Sequence, residues 1–235
     1  LTRASAEAAL RTLVQSGAAA VLLLPPFAEL LSGSGLFEEL GVAAAAIATG
    51  QTMPDMATVR IDNRAAMAAM TAHVVEAGHR RIGFLAGPQH FSVADERLAG
   101  FRDGLAAGGL AYDPALVVRA GFDPAAGAAA GRELLDRPDR PSAILCSSDD
   151  MAAGLIGEAS RRGLRLPDEL AVTGFDDTAI AARLWPPLTV IRQPVGDMAF
   201  RAVEQVLAAL RSRTVEDRVV DFELVVRESV GLTAS

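Results

Sequence analysis

Two hydrophobic patterns alternate along nearly the whole chain. A continuous apolar run such as Ala143–Cys146 predicts a strand buried on both faces of a parallel sheet. Other stretches carry apolar residues at helical spacing, as in Ala94, Leu98, Phe101 and Leu105. Strands that alternate with helices of roughly ten to fifteen residues indicate an α/β fold, in which parallel sheets are flanked by helices.

The two patterns divide the chain into elements that end at glycine, proline or capping residues. The predicted helices span 4–16, 27–40 with an interruption at 32–35, 63–75, 92–107, 123–135, 151–162 and 195–209. The predicted strands span 19–24, 42–48, 58–61, 81–86, 116–120, 143–146, 170–173, 189–192 and 218–226.

Two of these strands end in small polar and acidic residues. The strand 143–146 is followed by Ser147-Ser148-Asp149-Asp150, and the strand 170–173 leads into Gly174-Phe175-Asp176-Asp177. In open α/β sheets, small ligands bind at the edge formed by the carboxyl ends of the strands. The stretch 142–177 therefore predicts part of a ligand site.

Composition and charge narrow the class of protein. Of 235 residues, 51% are hydrophobic, which is enough for one domain or for two smaller lobes. No apolar run reaches the roughly 20 residues that span a bilayer. The net charge of −7 gives no basic footprint for nucleic acid, so any DNA contact must come from elsewhere. A soluble protein with a single cysteine fits a cytoplasmic location.

Catalytic chemistry finds little support in the sequence. Gly33 and Gly35 resemble part of a phosphate-binding loop, but the third glycine is missing. No serine has the flanking glycines of a nucleophile elbow. The acidic pairs at 149–150 and 176–177 have no identifiable acid or base partner. We therefore expect no catalytic residues and no cofactor.

A metal site is not expected either. His73, His79 and His90 have no metal-ligand spacing with Cys146 or with a carboxylate. Cys146 lies on a predicted buried strand, where a thiol is typically inert.

Six motifs, in order and in register over essentially the whole chain, resemble the effector-binding core of lactose-repressor/galactose-repressor (LacI/GalR) family transcription factors. They are Gly78-His79-Arg80-Arg81-Ile82-Gly83, Glu96-Arg97-Leu98-Ala99-Gly100-Phe101, Ser148-Asp149-Asp150-Met151-Ala152, Val172-Thr173-Gly174-Phe175-Asp176-Asp177, Pro186-Pro187-Leu188-Thr189-Val190-Ile191-Arg192-Gln193-Pro194 and Leu224-Val225-Val226-Arg227-Glu228-Ser229. Each motif is weak alone, and the six together are specific.

The resemblance implies a periplasmic-binding-protein-like fold of type I, with two α/β lobes that hold a small ligand in the cleft between them. The N-terminal lobe would comprise 1–61 plus 195–220, and the C-terminal lobe 62–192 plus 221–235. The family also has an N-terminal helix-turn-helix and a hinge segment, and neither is in this sequence. The family's first core strand is missing as well, since residues 19–24 match its second strand.

The family's principal ligand contacts can be carried over to two residues. Arg97 matches an arginine that reaches sugar hydroxyls or carboxylates, and its planar guanidinium suits such groups. Asp176 matches an aspartate that accepts from ligand hydroxyls. Without a ligand role, Arg97 would be a surface ion-pair residue and Asp176 a turn-capping residue.

Four further positions are candidates for effector contact. Phe122 matches an aromatic that stacks on the ligand, although it could equally pack in the core. Ser148 stands where many relatives have asparagine, so the donor pattern must differ. Trp185 could form the cleft wall or pack between the lobes, and Gln193 could contact ligand or backbone. Ala48 replaces a common sugar-binding aspartate, which leaves the effector's identity open.

The resulting hypothesis is the ligand-sensing and dimerisation domain of a transcriptional repressor. It would bind a small polar effector, a sugar or a related acid, and form a homodimer. It would contact operator DNA only through the missing head, and it would not contact a membrane. The alternative is the solute-binding protein of a sugar transporter, which shares the two-lobed architecture. An enzyme built on this fold is a third and less favoured hypothesis.

Overall fold

A computed structural model describes residues 2–89, 91–212 and 216–232. The chain divides into two compact units. Unit 1 comprises residues 1–62, 91–93 and 194–221, and unit 2 comprises residues 63–90, 94–193 and 222–235.

Eight helices and ten strands are numbered here in chain order, within the described residues. The helices are α1 (Arg3–Gln15), α2 (Phe27–Leu31), α3 (Leu36–Leu40), α4 (Asn63–Glu76), α5 (Ser92–Ala107), α6 (Pro124–Leu135), α7 (Asp149–Arg161) and α8 (Val195–Ser212). The strands are β1 (Ala20–Leu23), β2 (Ala43–Ile47), β3 (Ala57–Ile61), β4 (Ile82–Ala86), β5 (Val117–Arg119), β6 (Ala143–Cys146), β7 (Ala171–Asp176), β8 (Thr189–Arg192), β9 (Asp217–Val220) and β10 (Glu223–Val225).

Unit 1 contains a parallel sheet in the order β1-β2-β3-β9, with β1 at one edge. Helix α1 begins with a capping box, in which the side chains of Thr2 and Ser5 each bond the other's backbone. Its buried residues Ala6 and Leu10 pack in a core with Val21 and Leu23 of β1. The predicted helix over 27–40 is two short helices, because the glycines at 33 and 35 adopt positive φ between them.

Unit 2 contains a sheet in the order β10-β8-β7-β6-β4-β5. All neighbours in this sheet are parallel except β10, which pairs antiparallel with β8. Strands β4 and β6 are buried along their whole length, as the continuous apolar runs predict. The prediction of an α/β fold with mostly parallel sheets flanked by helices is confirmed.

Helices α6 and α7 approach closely because glycines line their contact. A Cβ at Gly127 would lie 2.4 Å from the carbonyl oxygen of Met151, and one at Gly154 would lie 1.9 Å from that of Pro124. No side chain fits at these distances, so the two backbones lie nearly in contact. The contact fixes α7 along the sheet and thereby sets the position of its first residue, Asp149.

The hydrophobic pattern over 218–226 predicts one strand, and this prediction is wrong because the segment forms two strands, β9 and β10. Strand β9 pairs with β3 in unit 1, whereas β10 pairs with β8 in unit 2. The two strands are separated at Asp221 and Phe222. The hydrophobic pattern runs through this break because both halves are extended.

Candidate functional site

The carboxyl ends of β6, β7 and β8 lie side by side at one edge of the unit 2 sheet. Ser147 and Ser148 follow β6, Asp176 is the last residue of β7, and Gln193 follows β8. Arg97 reaches this edge from the second turn of α5. Parallel pairing of three consecutive strands is what brings these polar residues together.

The guanidinium of Arg97 is the centre of the group, and the residue is only 4% exposed. Its Nε donates to Asn63 Oδ1 at 2.9 Å, and its Nη1 donates to the carbonyl oxygen of Ser147 at 2.5 Å. Its Cζ lies 3.6 Å from the ring centroid of Phe175, which is a cation–π contact. Burial lowers the pKa of Arg97, while Asp176 and Asp149 oppose that change. An arginine remains charged under these conditions, so the group holds a fixed, oriented cation.

Asp176 faces this cation. Its Oδ1 lies 3.5 Å from Arg97 Nη2 and accepts from Gln193 Nε2 at 2.6 Å. Burial raises the pKa of Asp176, although Arg97 and Gln193 act against the rise. Its backbone has a φ of 104°, which is uncommon for a residue with a side chain. The backbone at the end of β7 therefore has an unusual conformation at the residue that carries this carboxylate.

Asp177, the next residue, has a structural role. Burial disfavours its charge, but hydrogen bonds from Arg227 and Arg192, each 2.6 Å long, outweigh it and the pKa of Asp177 is lowered. The two arginines come from the C-terminal segment and from β8. Asp177 thus ties the end of β7 to its surroundings, while Asp176 faces Arg97.

The structure brings together three of the six predicted effector contacts, namely Arg97, Asp176 and Gln193. Ser148 is 7% exposed, and its hydroxyl accepts from the backbone N–H of Met151 as the N-cap of α7. The ring of Phe122 lies against Gly87, where a Cβ would be 2.2 Å from its Cζ. Trp185 is 83% exposed.

Three contacts of Arg97 were not identified from the sequence. Asn63 is the first residue of the predicted helix 63–75, and its side chain accepts from Arg97. Phe175 lies next to Asp176 in the same motif, but no local pattern predicts that its ring stacks on a guanidinium. The carbonyl of Ser147 carries no sequence signal at all, because every residue has one.

Cys146 is fully buried. Burial, and to a smaller extent the nearby charge of Asp149, raises the pKa of its thiol. Among the described residues, no group of three or more His, Cys, Asp or Glu side chains could hold a metal ion. His90 lies outside the described residues. No helix in the described part of the chain is both long enough and apolar enough to cross a membrane.

Comparison with known proteins agrees with this architecture. Residues 71–230 match the family model described as a periplasmic binding protein-like domain. The chain is similar to a solved structure described as a transcriptional regulator CelR–cellobiose complex, with 32% identity and a TM-score of 0.85. That match covers 95% of this chain and 69% of the other. The chain therefore contains a periplasmic-binding-protein-like domain.

Curated relatives narrow the family. The chain is 36% identical to the HTH-type transcriptional repressor CytR of Escherichia coli strain K12 over 177 residues, which is 74% of this chain and 52% of the relative. It is 35% identical to the HTH-type transcriptional regulator GalR of the same strain over 175 residues, which is 74% and 51% of the two chains. The chain spans about half the length of these relatives. It belongs to the LacI/GalR family, which confirms the resemblance of the six motifs.

Proposed function

We propose that this chain is the effector-sensing part of a LacI-type transcriptional regulator. In this proposal a small, hydroxyl-bearing ligand of carbohydrate type binds at the carboxyl ends of β6, β7 and β8. Binding changes the affinity for operator DNA of a DNA-binding head that lies outside the sequence. The relatives are named as transcriptional repressors and regulators, which supports this function over that of an enzyme or a transporter component.

The observation that carries the proposal is the pairing of Arg97 with Asp176. Their closest polar atoms are 3.5 Å apart, beyond the roughly 2.7–3.2 Å of a good N–H···O hydrogen bond. Arg97 is held from three other directions, so it can direct a remaining N–H toward a ligand oxygen without reorganising. Asp176 supplies an acceptor for a ligand hydroxyl. One cation and one carboxylate at this separation are suited to vicinal hydroxyls.

Four further parts of the proposal rest on family membership. We propose that the regulator is a cytoplasmic homodimer and that ligand and operator affect each other's affinity reciprocally. Sedimentation velocity over a range of protein concentrations tests the dimer. Phe122, Ser148 and Trp185 remain proposed ligand contacts. The two lobes, residues 1–61 plus 195–220 and residues 62–192 plus 221–235, remain a proposed division of the chain.

A thermal-shift and calorimetry screen tests the ligand site. The panel contains cellobiose, ribose, other mono- and disaccharides and sugar acids. A ligand at about 100 times its Kd stabilises the folded protein by roughly 2.7 kcal/mol, which a thermal shift detects. Arg97→Ala and Asp176→Ala should each weaken binding of a positive compound by about 100-fold, because each leaves its partner unpaired.

Asp103→Asn provides a matched control in the same unit. Asp103 forms an exposed ion pair with Arg64. This variant should bind as the wild type does. Unchanged affinity in Arg97→Ala and Asp176→Ala would refute the assigned site. A panel without any stabilising compound would argue against a carbohydrate-type effector.

A further inference from the structure

Asp149, the first residue of α7, has a buried carboxylate behind the turn that carries Asp176. The residue is 1% exposed. Its Oδ2 accepts from the backbone N–H of Thr178 at 2.6 Å and from the Thr178 hydroxyl at 2.9 Å. Its Oδ1 is buried without a hydrogen-bond partner among the described residues. A buried carboxylate with one unpaired oxygen is costly, so its presence in the fold calls for an explanation.

The turn that Asp149 contacts is conformationally unfavourable. Asp176 and Asp177 have φ values of 104° and 57°, and neither residue is a glycine. Such conformations persist only where surrounding contacts enforce them. Asp177 is held by two arginines, and the bonds from Thr178 to Asp149 hold the turn on its other side.

The neighbouring strand is shaped to admit this carboxylate. A Cβ at Gly174 in β7 would lie 2.3 Å from Asp149 Oδ1. Any other residue at this position would displace the Asp149 side chain or the strand. The glycine two residues before Asp176 thus allows a carboxylate to sit directly behind the turn.

We propose that Asp149 is a positioning residue, which fixes the Asp176–Thr178 turn and thereby holds Asp176 at the correct place opposite Arg97. It acts through Thr178 rather than by touching a ligand. Its contribution to ligand affinity rests on the function proposed above, whereas its effect on the turn does not.

Protonation of Asp149 should control how firmly the turn is held. Burial raises the pKa of Asp149 to about 7, although both bonds from Thr178 lower it and the charges of Asp176 and Asp177 raise it further. Among the described residues, Arg97 from α5 and Cys146 from β6 also interact electrostatically with Asp149. Charge-assisted hydrogen bonds are roughly twice as strong as neutral ones. The turn is therefore held tightly above neutral pH and less tightly below it.

Nuclear magnetic resonance of the ligand-free protein tests the proposal directly. The backbone amide of Thr178 reports on its bond to Asp149, and the side-chain amide of Gln193 reports on Asp176, to which it donates. Both signals should titrate together between about pH 5.5 and pH 8.5, with a midpoint near neutral. In Asp149→Asn, both should stop titrating and should match the low-pH wild type.

Two further variants separate Asp149 from other titrating groups. Asp176→Asn should retain the Thr178 titration, because Asp149 is still present. Thr178→Val loses the hydroxyl donor but keeps the amide, so the midpoint should move to higher pH. This variant leaves Asp149 in place, and it tests the proposal even if Asp149→Asn does not fold.

The outcomes are decisive without a ligand. If the Thr178 and Gln193 signals in Asp149→Asn match those of the wild type at every pH, Asp149 does not position the turn. For a sugar that binds the wild type, such as cellobiose, affinity should fall roughly three- to tenfold from pH 8 to pH 6 in the wild type and stay constant in Asp149→Asn. Coupled titration without binding of any panel sugar would refute the proposed ligand class but not the positioning role.

Discussion

Each end of helix α7 carries a buried carboxylate, and the two carboxylates have opposite surroundings: one is paired with cations and the other, within the described part of the chain, is not. Glu158, near the C-terminal end, is 4% exposed and forms ion pairs with Arg132, Arg161 and Arg162. Hydrogen bonds from these arginines, that of Arg161 first, lower the pKa of Glu158 to about 2. Asp149, at the N-terminal end, is bonded only to the uncharged Thr178 among the described residues, and burial raises its pKa to about 7.

The difference indicates that Glu158 supports the fold, whereas the charge of Asp149 depends on pH near neutrality. Glu158 stays ionised at every physiological pH, and its ion pair with Arg132 links the C-terminal end of α7 to α6. Asp149 changes charge near neutral pH, next to the residues proposed to bind ligand. Strongly perturbed pKa values cluster at functional sites, where burial and neighbouring charges shift them.

Among the variants that test this comparison, Gly154→Ala, in the middle of α7, should lower the free energy of unfolding the most. The new Cβ would lie 1.9 Å from the carbonyl oxygen of Pro124, so α6 and α7 must separate and both ends of α7 must move. We expect a loss of about 3 kcal/mol or more in the free energy of unfolding, measured by urea denaturation.

Gly157→Ala is the matched control on the same helix. Its nearest atom would be the end of the Arg161 side chain at 3.8 Å, so no clash arises. Alanine is the better helix former, and this variant should be stabilised by roughly 0.5–1 kcal/mol. Equal losses in the two variants would contradict the close approach of α6 and α7.

An intermediate effect is expected from Asp149→Asn on stability. The folded-state pKa of Asp149 is raised above its usual 3.8, so its stabilising contribution is complete below about pH 4 and is lost as pH rises toward 7. Asparagine does not ionise, so the variant does not lose this stability as the pH rises. At pH 8 the variant should therefore be more stable than the wild type, by about 1–2 kcal/mol after allowance for weaker bonds from Thr178.

Urea denaturation at pH 5 and at pH 8 measures this effect. The difference in stability between the variant and the wild type should grow between the two pH values. A variant that is less stable than the wild type by the same amount at both pH values would show that Asp149 is charged throughout this range. Asp150→Asn, at the next position of α7, provides the control.

The smallest effect at neutral pH is expected from Glu158→Gln. The folded-state pKa of Glu158 is lowered, so its stabilising contribution is present above about pH 4.5 and is lost as pH falls toward 2. The variant should resemble the wild type in very acidic solution and should have a lower Tm from pH 5 upward. Thermal unfolding followed by circular dichroism from pH 2 to pH 6 measures the difference. An unchanged Tm at pH 6 would mean that the ion cluster does not contribute to stability.

Most elements of the fold could be predicted from local patterns. The helix predicted over 123–135 and the apolar strand predicted over 143–146 occur where the sequence indicates them. The division of 218–226 into β9 and β10 could not be predicted, because it depends on which distant strand each half pairs with. The local sequence pattern of an extended segment does not depend on the sheet to which the segment belongs.

The candidate site shows the same limit. Arg97, Asp176 and Gln193 could be selected together because motifs resembling a known family contain them, and their role in binding ligand stays a prediction. The stacking of Phe175 on Arg97 and the bonds of Asp149 to Thr178 depend on tertiary distances. The pKa of Asp149 likewise arises from burial, and the sequence alone presents it as one of four acidic residues near two strand ends.

The positive φ values of Asp176 and Asp177 have a consequence for selection experiments. Glycine adopts such backbone conformations at little cost, so a randomised library sorted only for folded protein should enrich glycine at position 176. The same library sorted for ligand capture should return aspartate there. Mutational scans that read abundance alone would therefore score the central acceptor of the proposed site as dispensable.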